Sequence, residues 1–210
     1  MRSPAWGSFP LLGAGSVLEV PRPREQQRNP VLIAAVDSIL VPHRTAGVDD
    51  RRDTRLARLF DAVASLIGIC QSVTYEAQAA IELEAAIDST VPIEPHAAYR
   101  FTIEADEFNA APVIRAIVKD LRAGLAASII AAKFHTAVAH LILQLSLNYR
   151  KTHGLNIAAL SGGVFQNATL LQAATQLLKS NEFTVLTHRQ VPPNDGGLAL
   201  GQLLIGSSKV

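Results

Sequence analysis

An α/β fold is what this sequence predicts, and three observations carry the prediction. A short apolar run at 157–160 ends in Ser161-Gly162-Gly163. An alternating run at 183–187 leads to Val191-Pro192-Pro193-Asn194-Asp195-Gly196-Gly197. Each glycine-bearing loop is then followed by a stretch of helical apolar spacing. The order is strand, loop, helix, strand, loop, helix. After the first loop Leu170, Leu171, Ala174, Leu177 and Leu178 recur on one helical face from a start near Asn167, and after the second, 198–205 reads as a closing helix. The two strands should be parallel neighbours joined by a right-handed crossover. In open α/β sheets ligands sit beyond the carboxyl ends of the strands, so both loops should open onto one crevice. Glycines there let the backbone turn tightly and bring N–H groups close to a phosphate or ribose. A tight turn without a ligand is the plain alternative for either loop alone, and the pairing of two such loops argues against it.

The upstream elements follow in order. Residues 1–44 stand apart: Pro4, Pro10, Pro21, Pro23 and Pro30 interrupt any helix, 22–28 is polar, and only 31–41 offers an apolar run able to form a strand. Over 54–67, Leu56, Leu59, Phe60, Val63, Leu66 and Ile67 line one face of a helix that Gly68 closes, with Asp61 at the edge of that face. A second helix, 75–87, sets Tyr75, Ala79, Leu83 and Ile87 on one face, leaving Glu76, Glu82 and Glu84 elsewhere and mostly solvated. Pro92, Pro95 and a strand-like 99–103 separate this pair from a helix that opens at Pro112 and ends before Gly124. A long helix over about 128–150 carries a wide apolar stripe, Ile130, Phe134, Ala137, Val138, Leu141, Ile142 and Leu145, and Gly154 follows its end. His135 and His140 lie five apart on it, a spacing that does not set two imidazoles on one face, so neither is expected to hold zinc. A packed or capped His135 is the better reading.

Composition removes several function classes. Of 210 residues 49% are apolar and 18% charged, with a formal net charge of +1, the balance of one ordinary globular domain. Aromatic content is 5%, and the basic cluster at 44–58 is interleaved with Asp49, Asp50 and Asp53, so a solvated helix start replaces any nucleic-acid reading. The single cysteine, Cys70, excludes an internal disulfide and a thiolate metal cage, and within the apolar 66–70 it reads as a buried, inert thiol. No run is expected to reach membrane-spanning length, and 9–20 is too short and too broken by Pro10, Gly13 and Gly15 for a signal peptide, so a cytoplasmic location is expected.

The loop sequences narrow the chemistry. A Ser-Gly-Gly after a strand also opens the loop of ATP pyrophosphatases, but those want an Asp and a Ser soon after the glycines, and here Val164-Phe165-Gln166-Asn167 follow. Instead Ser161-Gly162-Gly163-Val164-Phe165-Gln166-Asn167, with His188-Arg189-Gln190-Val191-Pro192-Pro193-Asn194-Asp195-Gly196-Gly197-Leu198-Ala199-Leu200-Gly201-Gln202, resembles the carboxyl-terminal end of the nickel–iron hydrogenase maturation carbamoyltransferases, the HypF family. The resemblance extends upstream, in the family's order, to Arg58-Leu59-Phe60-Asp61-Ala62-Val63-Ala64, to Tyr75-Glu76-Ala77-Gln78-Ala79-Ala80-Ile81-Glu82-Leu83-Glu84 and to Ala132-Lys133-Phe134-His135. It covers roughly 45–206, whereas 1–44 show no match. That domain is similar to the enzymes that make threonylcarbamoyladenosine in tRNA. The resemblance therefore implies the second lobe of an actin-, sugar-kinase- and heat-shock-ATPase-like (ribonuclease H-like) fold. Its helical part would lie at about 54–150 and its α/β part at about 155–206. The family's acylphosphatase-like, zinc-finger, carbamoyl-adenylate-forming and first-lobe portions have no counterpart here. The chain is accordingly read as a fragment, a shortened gene product or one part of a split protein.

What the resemblance implies about the site is specific. Gly162, Gly163, Asn167 and Asp61 would hold the adenosine and phosphate of a carbamoyl-adenylate made from ATP, with Ser161 opening the loop. Glu76 would face the cleft and hold a ribose hydroxyl or a metal-bound water. Two departures stand out: Asp53-Thr54-Arg55 replaces a Ser/Thr-rich segment, and Ala77 replaces the glycine of a Tyr-Glu-Gly-Gln segment, which narrows the pocket if the backbone must approach the ligand there. Asp195 would be a ligand of a divalent metal ion whose two histidines, four apart, come from the first lobe; a cap for the closing helix is its plain alternative. Histidines stand at 43, 96, 135, 140, 153 and 188, with no such pair, so the metal site is incomplete within this chain. The activity implied is carbamoyl transfer to a carboxyl-terminal cysteine of a partner maturation protein, for the cyanide ligand of hydrogenase iron. The alternative is a non-catalytic remnant or interaction module that keeps the fold.

Overall fold

The computed structural model describes residues 32–35, 55–88, 90, 94, 97–104 and 107–207. Expectations for 1–31, for 36–54, for Pro92 and Pro95 and for the histidines at 43 and 96 lie outside the described residues. The chain runs through strand β1 (Leu32–Ala35), helices α1 (Arg55–Leu66) and α2 (Gln78–Ala85), strands β2 (Thr102–Glu104) and β3 (Glu107–Asn109), helices α3 (Ala111–Arg122) and α4 (Ala127–His153), strand β4 (Ile157–Ser161), helix α5 (Ala168–Ser180), strand β5 (Thr184–Thr187) and helix α6 (Leu198–Ser207). Tight 3-10 turns occupy Gly163–Gln166 and Asp195–Gly197.

The fold is α/β. β1, β4 and β5 form a parallel sheet in that order, with Leu32 opposite Ala158 on one side of β4 and Ile157 opposite Thr184 on the other. The expected parallel neighbours are therefore β4 and β5, joined through α5, and the apolar run at 31–41 supplies a third strand. Ala158 and Leu160 of β4 are buried together with Phe165, Leu170, Ala174 and Leu178, so α5 and the turn before it cover that face. The Phe183 ring is buried in the same core, and the Arg150 guanidinium lies 4.4 Å over it while donating to Asn181 O at 2.7 Å. That contact ties the end of α4 to the end of α5. α5 stops where Glu182 takes a left-handed φ of 65°, with Glu182 N–H donating to Lys179 O and Phe183 N–H to Leu178 O, both at 3.0 Å.

α4 is the spine of the helical part. Ile130, Phe134, Val138, Leu141 and Ile142 are buried along it, as the stripe predicts, and Phe60 of α1 meets the Phe134 ring edge-on at 5.0 Å. Each such side chain contributes about 1.5–3 kcal/mol by leaving water. Contrary to the expectation that no run is long enough, α4 has the length and apolarity to cross a bilayer; 67% of that stretch is buried in the protein, which makes it a core helix. Gly154 ends it at φ 69°, a left-handed turn a side chain would strain. Pro112 sits in the first turn of α3, which ends before Gly124 as expected.

Four local expectations need correction. Leu66 is 39% exposed, because the helix ends there and turns away at Gly68. α2 begins at Gln78, not at Tyr75, because Ala77 adopts φ 61°, ψ 7° and breaks the helix; Tyr75 is then 53% exposed. Of the strand-like 99–103 only Thr102 and Ile103 lie in a strand, β2, and its antiparallel partner, β3, no alternation announced. α6 forms as expected, but Leu198, Leu200, Leu203, Leu204 and Ile205 are all exposed, so among the described residues nothing encloses it.

Candidate functional site

The site is built where β4 and β5 end. Parallel register places Leu160 beside Thr187, so the next residues, Ser161 and His188, fall side by side on the same face of the sheet. Their side chains share a hydrogen bond, Ser161 Oγ to His188 Nε2, at 2.8 Å. Gly162 then takes φ 103°, ψ 161°, a conformation open to glycine alone, and its N–H donates to Pro193 O at 2.8 Å. These two bonds join the loop after β4 to the loop after β5. The expected shared crevice therefore has a physical basis: both glycine loops meet at the carboxyl ends of neighbouring parallel strands.

The second loop is held tightly. Asn194 Oδ1 accepts from Gly196 N–H at 3.1 Å, and a side chain at Gly197 would meet Val191 Cγ1 at 2.9 Å and Pro192 O at 3.0 Å. Asn194 is thus the cap of this turn. Asp195 opens the turn with its side chain exposed. Among the described residues no group of three or more His, Cys, Asp or Glu is placed to hold a metal ion. Among those residues Asp195 stands as a lone exposed carboxylate, a hard oxygen donor of the kind divalent ions take.

Behind the first loop runs a polar chain that fixes Asn167. His135 is buried on α4, and its Nδ1 lies 2.8 Å from Ala131 O. A carbonyl only accepts, so Nδ1 carries the proton and Nε2 is left as an acceptor. Asn167 Nδ2 donates to that Nε2 at 2.9 Å, and Asn167 Oδ1 accepts from Leu170 N–H at 2.8 Å, capping α5. Burial holds the His135 pKa below the ordinary imidazole value, opposed by Ala131 O and the Glu84 charge, so the neutral ring this chain of bonds requires is the stable one. His135 is therefore the packed histidine expected. It also touches Phe60, edge-on at 5.3 Å, so α1 braces the same unit.

Glu84 is an exception to the expectation that most of the carboxylates of α2 are solvated. Its Oε1 accepts from Thr169 N–H at 2.8 Å, placing a carboxylate from α2 at the amino end of α5. The helix dipole favours a negative charge there. No sequence pattern pairs residues 85 apart, and this contact follows only from the packing of α2 on the core.

The structure brings Ser161, Gly162 and Gly163 together with the loop that carries Asp195, and seats Asn167 directly behind them. Asp61 is exposed on α1, one residue from the buried Phe60, and Glu76 is exposed in the turn before α2; neither takes part in the bonds that join the two loops. Cys70 is buried, its Sγ donating to Ser72 O at 3.4 Å, and burial followed by the neighbouring Glu82 raises its pKa, the inert thiol expected. His188 was missed although it stands in the quoted motif; its signal was the register that pairs the residue after Leu160 with the residue after Thr187.

Comparison with known proteins gives consistent results. The family model described as the second subdomain of the Kae1-like domain of carbamoyltransferases, from the HypF family, matches residues 39–202. The carbamoyltransferase HypF of a Synechocystis species is 39% identical over 153 residues, which cover 71% of this chain and 19% of that protein. A HypF homolog of Cupriavidus necator is 32% identical over 162 residues, covering 74% of this chain and 41% of its own length. Among solved structures, full-length HypF in a phosphate- and nucleotide-bound form superposes with a TM-score of 0.66 at 37% identity, over 73% of this chain and 24% of that one. The chain thus spans about a fifth of the length of the first of these relatives.

Proposed function

Because the chain belongs to the HypF carbamoyltransferase family, we propose that it forms the second-subdomain side of a carbamoyltransferase site. In this reading the two-loop corner is half of a nucleotide cleft in an actin- and heat-shock-ATPase-like fold, and the other half is a first subdomain that belongs to another part of the protein or to a partner. The exposed apolar circumference of α6 supports the need for such a body, since a helix apolar all round is normally enclosed. The observation that carries the proposal is the bond from Gly162 N–H to Pro193 O, which converges the two glycine loops at the strand ends where α/β sheets bind ligands.

The division of labour follows the chemistry of the side chains. Ser161, Gly162 and Gly163 receive the phosphate of a carbamoyl-adenylate formed from ATP, and Asn167, held by His135, keeps the first loop in register with α5. Asp61 and Glu76 supply carboxylates for ribose hydroxyls from across the cleft. Asp195 supplies one oxygen ligand to a divalent ion shared with the first subdomain; when bound, such an ion would polarise an oxygen of the reacting group. The acceptor is the carboxyl-terminal cysteine of a hydrogenase maturation protein, whose carbamoylated form leads to the cyanide ligand of the iron.

The test is a fusion of this chain to the upstream portion of the Synechocystis relative. Asp195→Asn in it should leave folding intact, because Asn194 is the cap, and should abolish metal-dependent carbamoyl transfer. Turnover near that of the unaltered fusion would remove Asp195 from the site. A second reading, an interaction module that has lost catalysis, is favoured by one observation: Ala77 occupies a left-handed φ of 61° in the segment expected to line the cleft, where its methyl adds both strain and bulk.

A further inference from the structure

We infer that His188 is a positioning residue for the phosphate end of the nucleotide, acting through the Ser161 hydroxyl. This rests on the nucleotide reading above and adds to it a residue to which nothing else assigns a role. The placement is dictated by topology. Parallel pairing with Leu160 beside Thr187 makes Ser161 and His188 the first residues beyond the ladder, on one face of the sheet, at the mouth of the glycine loop. Their contact at 2.8 Å joins an exposed imidazole to a half-buried hydroxyl.

A serine hydroxyl has one proton to donate and two lone pairs to accept with. When Nε2–H of His188 donates to Ser161 Oγ, the hydroxyl proton is left to point away from the imidazole, into the loop. There it can donate to an anionic oxygen, a charge-assisted bond stronger than a neutral one. Without His188 the hydroxyl rotates, and its proton has other acceptors to choose from. The second inter-loop bond, Gly162 N–H to Pro193 O, does not depend on the imidazole and keeps the loops together when His188 is changed. The role assigned to His188 is therefore orientation of one hydroxyl, separable from holding the corner closed.

The probes are ADP and adenosine, titrated by NMR into the full chain and its variants. His188→Ala should weaken ADP roughly tenfold, about one hydrogen bond to a charged group, and leave adenosine within about twofold. His188→Gln, whose side-chain amide can donate to the same hydroxyl, should restore most of the ADP affinity. Ser161→Ala should weaken ADP to the same degree, and the double variant should be no weaker than either single one. If His188→Ala weakens adenosine as much as ADP, the side chain only holds the loop and the inference is overturned. It is equally overturned if ADP affinity is unchanged, or if the two single losses add. Failure of the unaltered chain to bind ADP at all would instead overturn the nucleotide reading, and this inference with it.

Discussion

Replacing Ala77 by glycine should stabilise the protein. Ala77 sits at φ 61°, ψ 7°, immediately before α2, where its carbonyl accepts from Ile81 N–H at 3.0 Å and so closes the first helical turn. For an L-residue the left-handed region costs about 1–2 kcal/mol, because Cβ crowds the following carbonyl oxygen. Glycine removes that cost but gives the unfolded chain more freedom, a loss of about 0.4–1 kcal/mol. The difference leaves a net gain of about 0.5–1 kcal/mol. For a domain of this size that raises Tm by about 1–4 °C. Ala77 is exposed, so no buried contact is lost to offset the gain. The assay is thermal and urea denaturation of the two proteins at one pH, with the m-value checked for constancy. A stability that falls, or stays level within error, would mean that the left-handed turn is not populated in solution and that α2 extends upstream, as its sequence first indicated.

Other perturbations follow from named contacts. His135 is buried neutral with a lowered pKa, so the unfolded chain binds the extra proton first: stability should begin to fall as pH drops below about 6.5 and level off below the depressed native value. Urea midpoints between pH 8 and 5 check this, and His135→Gln should flatten the dependence, with a residual slope of the same sign from the partly buried His140, whose pKa is also lowered. Glu84→Ala removes the acceptor of Thr169 N–H and should cost about 1 kcal/mol in denaturant unfolding, whereas an unchanged midpoint would mean that water caps that end equally well. Leu203→Lys on α6, 70% exposed, should leave the isolated chain's stability within about 0.5 kcal/mol and reduce its aggregation. The same change in the fusion protein should destabilise it by several times that amount, and equal effects in both would deny that α6 is enclosed there.

How much of this was legible can be read from particular residues. Periodicity placed α1, α3, α4, α5 and α6, because each carries a repeat of apolar residues or a breaker such as Gly68, Gly124 or Gly154 whose preference is local. The parallel pair β4 and β5 and the meeting of their loops were legible too, since strand, loop and helix in that order leave few topologies. What escaped was set by tertiary geometry. β3 is three residues long, too short to show alternation. The reach of Glu84 to Thr169 depends on where α2 packs, and the His135 to Asn167 link on how α4 passes behind the loop. The break at Ala77 escaped because alanine is the best helix former, and a propensity argument extends the helix through it. In the site, the first loop was found from its glycines' capacity for a tight turn, which Gly162 uses at φ 103°. His188 was not, because a lone histidine acquires meaning only through strand register.

The amino end of α5 bears on where an anion can bind. Helix amino ends attract phosphate, but here Thr169 N–H already meets Glu84 and Leu170 N–H meets Asn167. A phosphate at the same place would face the Glu84 carboxylate, and two charges about 4 Å apart repel by about 1 to 4 kcal/mol depending on how far water screens them. That repulsion moves the favoured position for the anion along the loop, toward the Ser161 hydroxyl and its histidine. The two positions predict opposite responses to Glu84→Gln. If phosphate sits at the helix end, removing the charge relieves repulsion, and ADP binding should tighten at least fivefold, whereas adenosine binding should not change. If phosphate sits at Ser161, the substitution should leave the ADP affinity within about twofold, because the neutral amide oxygen still accepts from Thr169 and keeps the loop in place. A fivefold gain for ADP would therefore move the phosphate from the serine to the helix and take the role proposed for His188 with it.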